Sequence, residues 1–290
     1  MDTQGGLRLT RDHRILYAVN AGSDNVSVFS VRGVRLTFLQ KVYAGDEPNS
    51  LALCRNLLYV LDGSVAGNGI RGFRVASNGT LTRLWHSFRL LSSPIAVPGE
   101  VQFSPDGRLL LVTQKKTNVA LSPRNAIDVF RVQRGGLTNA LPKRAASFGL
   151  RPFSVDFRKD RRLVVAESFN AAPGRSAVSS YRVSPTGTLA VKSGSVRNRQ
   201  TDTCWIKVSK DGHHVFTANF GSGTISRYRV TPTGRLRLIE GRAAFLERRV
   251  SLLTSPSVRV AATSTSCSEA PAASPPSLSA TGATSRRWAS

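Results

Sequence analysis

Three charged residues stand where they could perform hydrolytic chemistry: Glu100, Glu167 and Arg151. A carboxylate can take a proton from an attacking water, and an arginine can hold an anionic group or a developing oxyanion. We predict these three as catalytic candidates, and Asp156 as a binding residue near them. The spacing of cysteine, histidine and acidic residues forms no metal-ligand pattern, so we expect neither a metal nor another cofactor.

Polar residues also recur at one equivalent position, directly after a short apolar segment. These residues are Asn20, Asp62, Gln114, Glu167 and Asn219. A ring of polar groups at one equivalent position is what a central binding site would look like. A set of caps that end strands would give the same pattern, so both interpretations stay open and we predict Asn20, Asp62, Gln114 and Asn219 as binding residues.

The elements that position these residues repeat along the chain. An aromatic residue, a polar or basic residue and valine occur together five times, at Phe29–Val31, Phe73–Val75, Phe130–Val132, Tyr181–Val183 and Tyr228–Val230. Their spacings are 44, 57, 51 and 47 residues. A period near this length with only strand-like segments inside each unit is typical of β-propeller blades. We predict an all-β propeller of four-stranded blades over residues 1–245.

Each unit has its parts in the same order. In the third unit, Ser104–Gly107 predicts a tight turn, Leu109–Thr113 a buried strand, and Ile127–Val132 a half-solvated strand with alternating side chains. A glycine then marks a second hairpin, and a leucine follows it either directly or two residues later. A β-sandwich would also give many short strands, but it would not repeat the order of the motifs.

The chain is strongly basic, with 41 lysine and arginine residues against 17 acidic ones and a formal charge of +24. The basic residues are scattered through the sequence, and no nucleic-acid-binding motif is present. We therefore expect a small anionic metabolite as partner and consider nucleic acid unexpected. No apolar segment is long enough to cross a membrane and no secretory signal is recognisable, so we predict a cytoplasmic protein. The oligomeric state stays open.

The composition changes after about residue 245, where the chain becomes rich in serine, alanine, threonine and proline. One interpretation of residues 246–290 is a disordered low-complexity tail. The other is a blade translated in a shifted frame, because serine codons read one frame away yield apolar residues. Both alternatives predict that the repeat is interrupted here.

Three segments carry a resemblance to a known family: Tyr17–Ser23, Ser104–Arg108 and Thr217–Ile225. They resemble the lactonase family of seven-bladed β-propellers, which includes bacterial 6-phosphogluconolactonases and carboxymuconate-cyclising enzymes. The resemblance covers roughly residues 5–245. It implies five to six of seven blades in an incomplete ring with exposed sheet edges, and a tendency to aggregate.

The resemblance also implies an activity: hydrolysis of an anionic sugar lactone, with Arg151 holding the anion and Glu100 or Glu167 assisting water. Enzymes of the family tend to carry a histidine early in a blade, after a proline. The corresponding stretches here, Val97–Phe103 and Arg151–Phe157, contain none. The alternative is a non-catalytic propeller that binds a ligand or protein partner, or an inactive copy.

Overall fold

The computed structural model describes residues 4–64, 67–93, 95–115 and 125–245. Strands dominate this part of the chain, and two short 3-10 turns lie at Ala21–Ser23 and Phe169–Ala171. The strands are β1 Leu7–Leu9, β2 Ile15–Asn20, β3 Asn25–Arg32, β4 Arg35–Tyr43, β5 Pro48–Cys54, β6 Leu57–Asp62, β7 Gly69–Val75, β8 Leu81–Arg83, β9 Arg89–Leu90, β10 Val97–Phe103, β11 Leu109–Lys115, β12 Ala126–Arg131, β13 Lys143–Ala146, β14 Pro152–Phe157, β15 Arg162–Glu167, β16 Ala177–Val183, β17 Leu189–Arg197, β18 Thr203–Val208, β19 His214–Asn219, β20 Thr224–Val230 and β21 Leu236–Phe245.

These strands form five antiparallel sheets, which we number as blades 1 to 5 in chain order. Each sheet contains four strands that follow one another up and down, and β9 adds a short second pairing to β7 in blade 2. The inner strands of the blades are β1, β5, β10, β14 and β18. The described residues therefore form an incomplete propeller of four-stranded blades, which confirms the predicted fold class.

The predicted turn in blade 3 joins the first strand of the blade, β10, to the second, β11. Ser104 Oγ donates to a carboxylate oxygen of Asp106 at 2.7 Å and accepts the backbone N–H of Leu109 at 3.0 Å. Gly107 closes the turn with a φ of 71°, a conformation that residues with a side chain rarely adopt. The strand that follows, β11, is buried along its whole length because it lies between two neighbouring blades.

The core lies between blades rather than within one sheet. Four apolar clusters each join two consecutive blades. In the cluster between blades 2 and 3, Tyr59 packs edge-on against Phe103 with ring centroids 6.1 Å apart. The repeated strands thus bury their apolar faces only by stacking on the next unit.

The predicted strands agree with the observed ones to within two residues. Leu109–Thr113 lies within β11, and Ile127–Val132 corresponds to β12. The predicted tail and its alternative as a shifted blade fall at residues 246–290, outside the described residues. Within the described part of the chain, no helix has the length and apolar character needed to cross a bilayer.

Candidate active site where the inner strands converge

The first strands of the blades line the centre of the ring, and four of them are interrupted near their start. The pairing register shifts between Pro48 and Ser50 in β5, and between Thr203 and Trp205 in β18. It also shifts between Pro98 and Val101 in β10. The fourth shift lies between Pro152 and Val155 in β14. Bulges of this kind turn side chains away from the regular alternation and are frequent beside active sites.

Glu100 lies in the bulge of β10 and is the best connected carboxylate at the centre. Its Oε1 is 3.0 Å from Nη2 of Arg8 in β1, and its Oε2 accepts the backbone N–H of Val155 in β14 at 3.0 Å. Arg8 Nη2 also donates to Gln102 Oε1 at 3.2 Å. One side chain therefore joins blades 1, 3 and 4.

The environment of Glu100 raises the affinity of its carboxylate for a proton. The residue is only 5% exposed, and burial raises the pKa of its carboxyl. The charges of Arg8 and Lys207 and the bond from Val155 act in the opposite direction and are outweighed. A carboxylate with a raised pKa is a better proton acceptor than a solvated one.

Asp156 forms a second charged pair on the neighbouring inner strand. Its Oδ2 accepts the backbone N–H of Val208 at 2.9 Å and lies 3.3 Å from Nζ of Lys207 in β18. Its Oδ1 accepts the N–H of Phe157 at 2.9 Å. Asp156 thus links blade 4 to blade 5 as Glu100 links blade 3 to blade 4, and both predicted residues lie at the centre of the ring.

Several buried polar atoms around the Arg8 and Glu100 pair have no hydrogen-bond partner. They are Arg8 Nε, Gln102 Nε2, Asn49 Oδ1, Ser154 Oγ and both side-chain polar atoms of Gln4. Gly5 approaches the pair closely, since a Cβ on it would lie 2.8 Å from Arg8 Nη2 and 2.9 Å from Glu100 Oε1. Unsatisfied buried groups are costly unless water or a ligand pairs with them. These donors and acceptors at the centre of the ring could therefore form hydrogen bonds with water or with a polar ligand.

Arg151 lies immediately before the inner strand β14. Its guanidinium stands over the ring of Phe153, 5.4 Å from the centroid, and Lys115 Nζ lies 4.0 Å from the same centroid. The backbone of Arg151 is held with a φ of 54° and donates its N–H to Asn125 Oδ1 at 2.8 Å. Thr113 Oγ1 accepts the N–H of Glu100 and donates to the carbonyl of Phe153. Two cations thus lie close to the strand that contacts Glu100.

The five equivalent polar residues bond mainly to groups of their own blade or to the loop that leads into it. Four of them end the second strand of their blade, and Gln114 is the last residue but one of β11. Asn20 donates to Asn25 Oδ1 at 2.7 Å, Asp62 accepts the N–H of Asp46 at 3.0 Å, and Gln114 donates to Ser92 Oγ at 2.8 Å. Asn219 bonds to Asn198 at 2.9 Å and to Ser226 at 2.8 Å. Their contacts are those of strand-ending caps.

Glu167 is fully buried within blade 4. Its Oε1 accepts the N–H of Gly149 at 2.9 Å, and its Oε2 accepts the hydroxyl of Ser195 at 2.7 Å. Burial raises the pKa of this carboxyl. A Cβ at Gly149 would lie 2.0 Å from Oε2, so only glycine fits beside it. None of these bonds of Glu167 involves Glu100 or its partners Arg8 and Val155, so they do not bring the two carboxylates together.

Sequence reasoning did not single out Arg8 or Lys207, although both pair with predicted carboxylates. Arg8 lies in a strand of three residues and its partner Glu100 is 92 positions away. Lys207 follows the bulge of β18, and no residue pattern in the sequence predicts that bulge. The repeat could have located both, since each occupies an inner strand of its unit.

Comparison with protein families gives a partial match. Residues 167–240 match the family described as lactonase, seven-bladed β-propeller. The matched segment runs from the end of β15 into β21 and so covers part of blade 4 and most of blade 5. The chain matches no curated protein.

Solved structures share the fold at low identity. A functionally unknown protein from Desulfotomaculum acetoxidans DSM 771 is 12% identical with a TM-score of 0.63, over 81% of this chain and 68% of that one. A protein from Lactobacillus plantarum is 21% identical with a TM-score of 0.62, over 81% and 69%. A candidate 6-phosphogluconolactonase from Bacteroides uniformis ATCC 8492 is 14% identical with a TM-score of 0.52, over 81% and 83%. The chain thus has the blade architecture of a propeller and, over residues 167–240, the sequence pattern of the lactonase seven-bladed β-propeller family.

Proposed function

We propose that this protein hydrolyses an anionic sugar lactone at the centre of the ring, as a 6-phosphogluconolactonase does. The observation that carries the proposal is the buried pair of Glu100 and Arg8, surrounded by unpartnered polar atoms on the inner strands. The family match over residues 167–240 supports it. No cofactor is part of the proposal.

The chemistry requires a base, a charge for the oxyanion and a binding group for the anion. Glu100 takes a proton from water as the water oxygen attacks the lactone carbonyl carbon, and Arg8 stabilises the negative oxygen that forms. The ring C–O bond then breaks, the ring oxygen takes up the proton that Glu100 received from water, and a hydroxy acid leaves. Arg151, directly before β14, holds the anionic group of the substrate. Glu167 keeps its bonds within blade 4 and has a structural role.

The test is lactone turnover by purified protein, with an anionic and a neutral glucono-δ-lactone as substrates. Glu100→Gln keeps the size of the side chain but removes the base, and we expect kcat to fall at least 100-fold, the usual contribution of a general base. Arg151→Met should raise KM for the anionic lactone and leave KM for the neutral one nearly unchanged. Circular dichroism of each variant shows whether the sheets are kept.

Glu240→Gln is the matched control, because Glu240 is an exposed carboxylate paired with Arg227 on the outer edge of blade 5. It should hydrolyse as the parent does. Parent protein that is folded but leaves both lactones intact would overturn the proposal and favour the alternative, a propeller that binds a ligand without turning it over.

A further inference from the structure

The topology of the blades gathers basic residues that are scattered in the sequence. In each up-and-down sheet, the turn between the first two strands and the turn between the last two lie at the same end. We call the surface made by these ends the hairpin face. It comprises residues 10–14, 33–34, 55–56, 76–80, 104–108, 132–142, 158–161, 184–188, 209–213 and 231–235, with the strand ends beside them.

Contacts between neighbouring blades make the hairpin face continuous. Arg11 and Asp12 of blade 1 line one groove together with Ser77 and Gly79 of blade 2. Arg74 donates to the carbonyl of Gly135 in blade 3. Lys143 Nζ donates to Thr188 Oγ1 of blade 4 at 2.7 Å, and Arg158 Nη1 donates to the carbonyl of Thr231 in blade 5 at 3.3 Å.

Cations outnumber anions on this face. Its aspartates are already engaged: Asp106 pairs with Arg161, Asp160 pairs with Arg158 and Arg162, and Asp12 and Asp211 bond within their own turns. Further basic side chains are exposed and form none of the ion pairs found among the described residues. They are Arg11, Arg32, Arg35, Arg131, Arg134, Lys159, Arg182, Lys210, Arg229 and Arg235.

Like charges also stand directly opposite one another on paired strands of this face. Arg162 is the cross-strand partner of Arg182, and Arg229 is the partner of Arg237. Burial, followed by the charges of Arg158 and Arg182, lowers the pKa of Arg162. Opposed like charges destabilise a sheet, and a bound polyanion relieves their repulsion.

We propose that the hairpin face binds the phosphate backbone of a duplex nucleic acid. Arginine forks suit phosphate oxygens, and a surface several blades wide can contact successive phosphates. The turns that form this face contain no phenylalanine, tyrosine or tryptophan. Single-stranded nucleic acid is bound by stacking its bases on such rings, so the face fits a duplex contacted through its backbone.

The test is fluorescence anisotropy of a labelled 30-base-pair DNA duplex with the 290-residue chain, at several salt concentrations. A triple variant, Arg134→Gln, Arg182→Gln and Arg235→Gln, removes three exposed cations from the hairpin face. The matched control, Arg175→Gln, Arg197→Gln and Arg199→Gln, removes three exposed cations from the opposite face and has the same net charge. Affinity should fall at least tenfold in the first variant and less than twofold in the second.

The salt dependence gives a second readout. The slope of log Kd against log salt should fall by about 1 for each phosphate contact removed. Equal losses in the two variants would overturn the proposal, because binding would then follow net charge alone. The proposal would also be overturned if no duplex binding is seen at low salt. The same holds if the protein binds vesicles of phosphatidylserine and phosphatidylcholine through the hairpin face and does not bind the duplex.

Discussion

Glu167 makes the stability of the protein depend on pH. Because burial raises the pKa of Glu167, the folded protein holds a proton on this carboxyl more tightly than the unfolded chain does. Lowering the pH from about 7 toward the ordinary glutamate range therefore favours the folded state. Glu167→Gln removes this proton uptake. We expect the difference in Tm, parent minus variant, to grow as the pH falls from about 7 to about 4.5, measured by thermal melts. A difference that stays constant or shrinks would contradict the pH dependence assigned to Glu167.

The types of residue and their positions in the repeat predicted two carboxylates at the centre of the ring, but not the basic residues that pair with them. Glu100 and Asp156 were predicted as site residues and lie on the inner strands β10 and β14, whereas Glu167, also predicted, ends β15. Arg8 and Lys207 pair with the first two across blades, and such pairs depend on how bulged strands turn their side chains. No local sequence pattern encodes that orientation, so the partners became visible only in the folded chain.

At the scale of elements, one kind of hydrogen bond recurs between neighbouring blades. A side-chain hydroxyl of one blade donates to a glycine carbonyl in the hairpin between the third and fourth strands of the next blade. Tyr17 Oη donates to the carbonyl of Gly79 at 2.9 Å, and Tyr59 Oη donates to that of Gly136 at 2.8 Å. Ser180 Oγ makes the corresponding bond to Gly234 at 2.8 Å. The hairpin glycines noted in the sequence are therefore contact points between blades.

Removal of one such hydroxyl should weaken the fold. Tyr59→Phe leaves the carbonyl of Gly136 without its partner while the ring stays in place, so we expect a loss of about 1 kcal/mol in the free energy of unfolding. The measurement is urea denaturation followed by tryptophan fluorescence. Tyr43→Phe is the control, because Tyr43 is exposed and its hydroxyl donates to Asp46 three residues away. Equal effects of the two changes would show that the bond between blades adds nothing.

The order of the strands could be predicted because each unit repeats the same apolar and turn pattern. The predicted strands Leu109–Thr113 and Ile127–Val132, for example, correspond to β11 and β12. The bulges of β10 and β14 could not be predicted, since an extra residue shifts the apolar alternation and strands of 7 and 6 residues are too short to show that shift.

At the scale of the whole molecule, one side of blade 5 packs on blade 4, and no blade of the described residues packs on the other side, which we call the open side. Ile206 and Val215 face blade 4 and belong to the shared cluster. Their neighbours Trp205 and Phe216 point to the other side of the sheet and are 43% and 38% exposed. Exposed apolar surface on a flat sheet favours contact with another chain.

We therefore expect the chain to self-associate as its concentration rises, through the open side of blade 5. Trp205→Gln combined with Phe216→Gln removes the two largest apolar groups there, so the mean mass measured by light scattering after size exclusion should fall toward that of one chain. Trp85→Gln is the control, because Trp85 is also exposed but stacks on Arg83 at the outer edge of blade 2. If the parent stays monomeric at high concentration, or if the control lowers the mass as much as the double variant, the open side of blade 5 is not the contact.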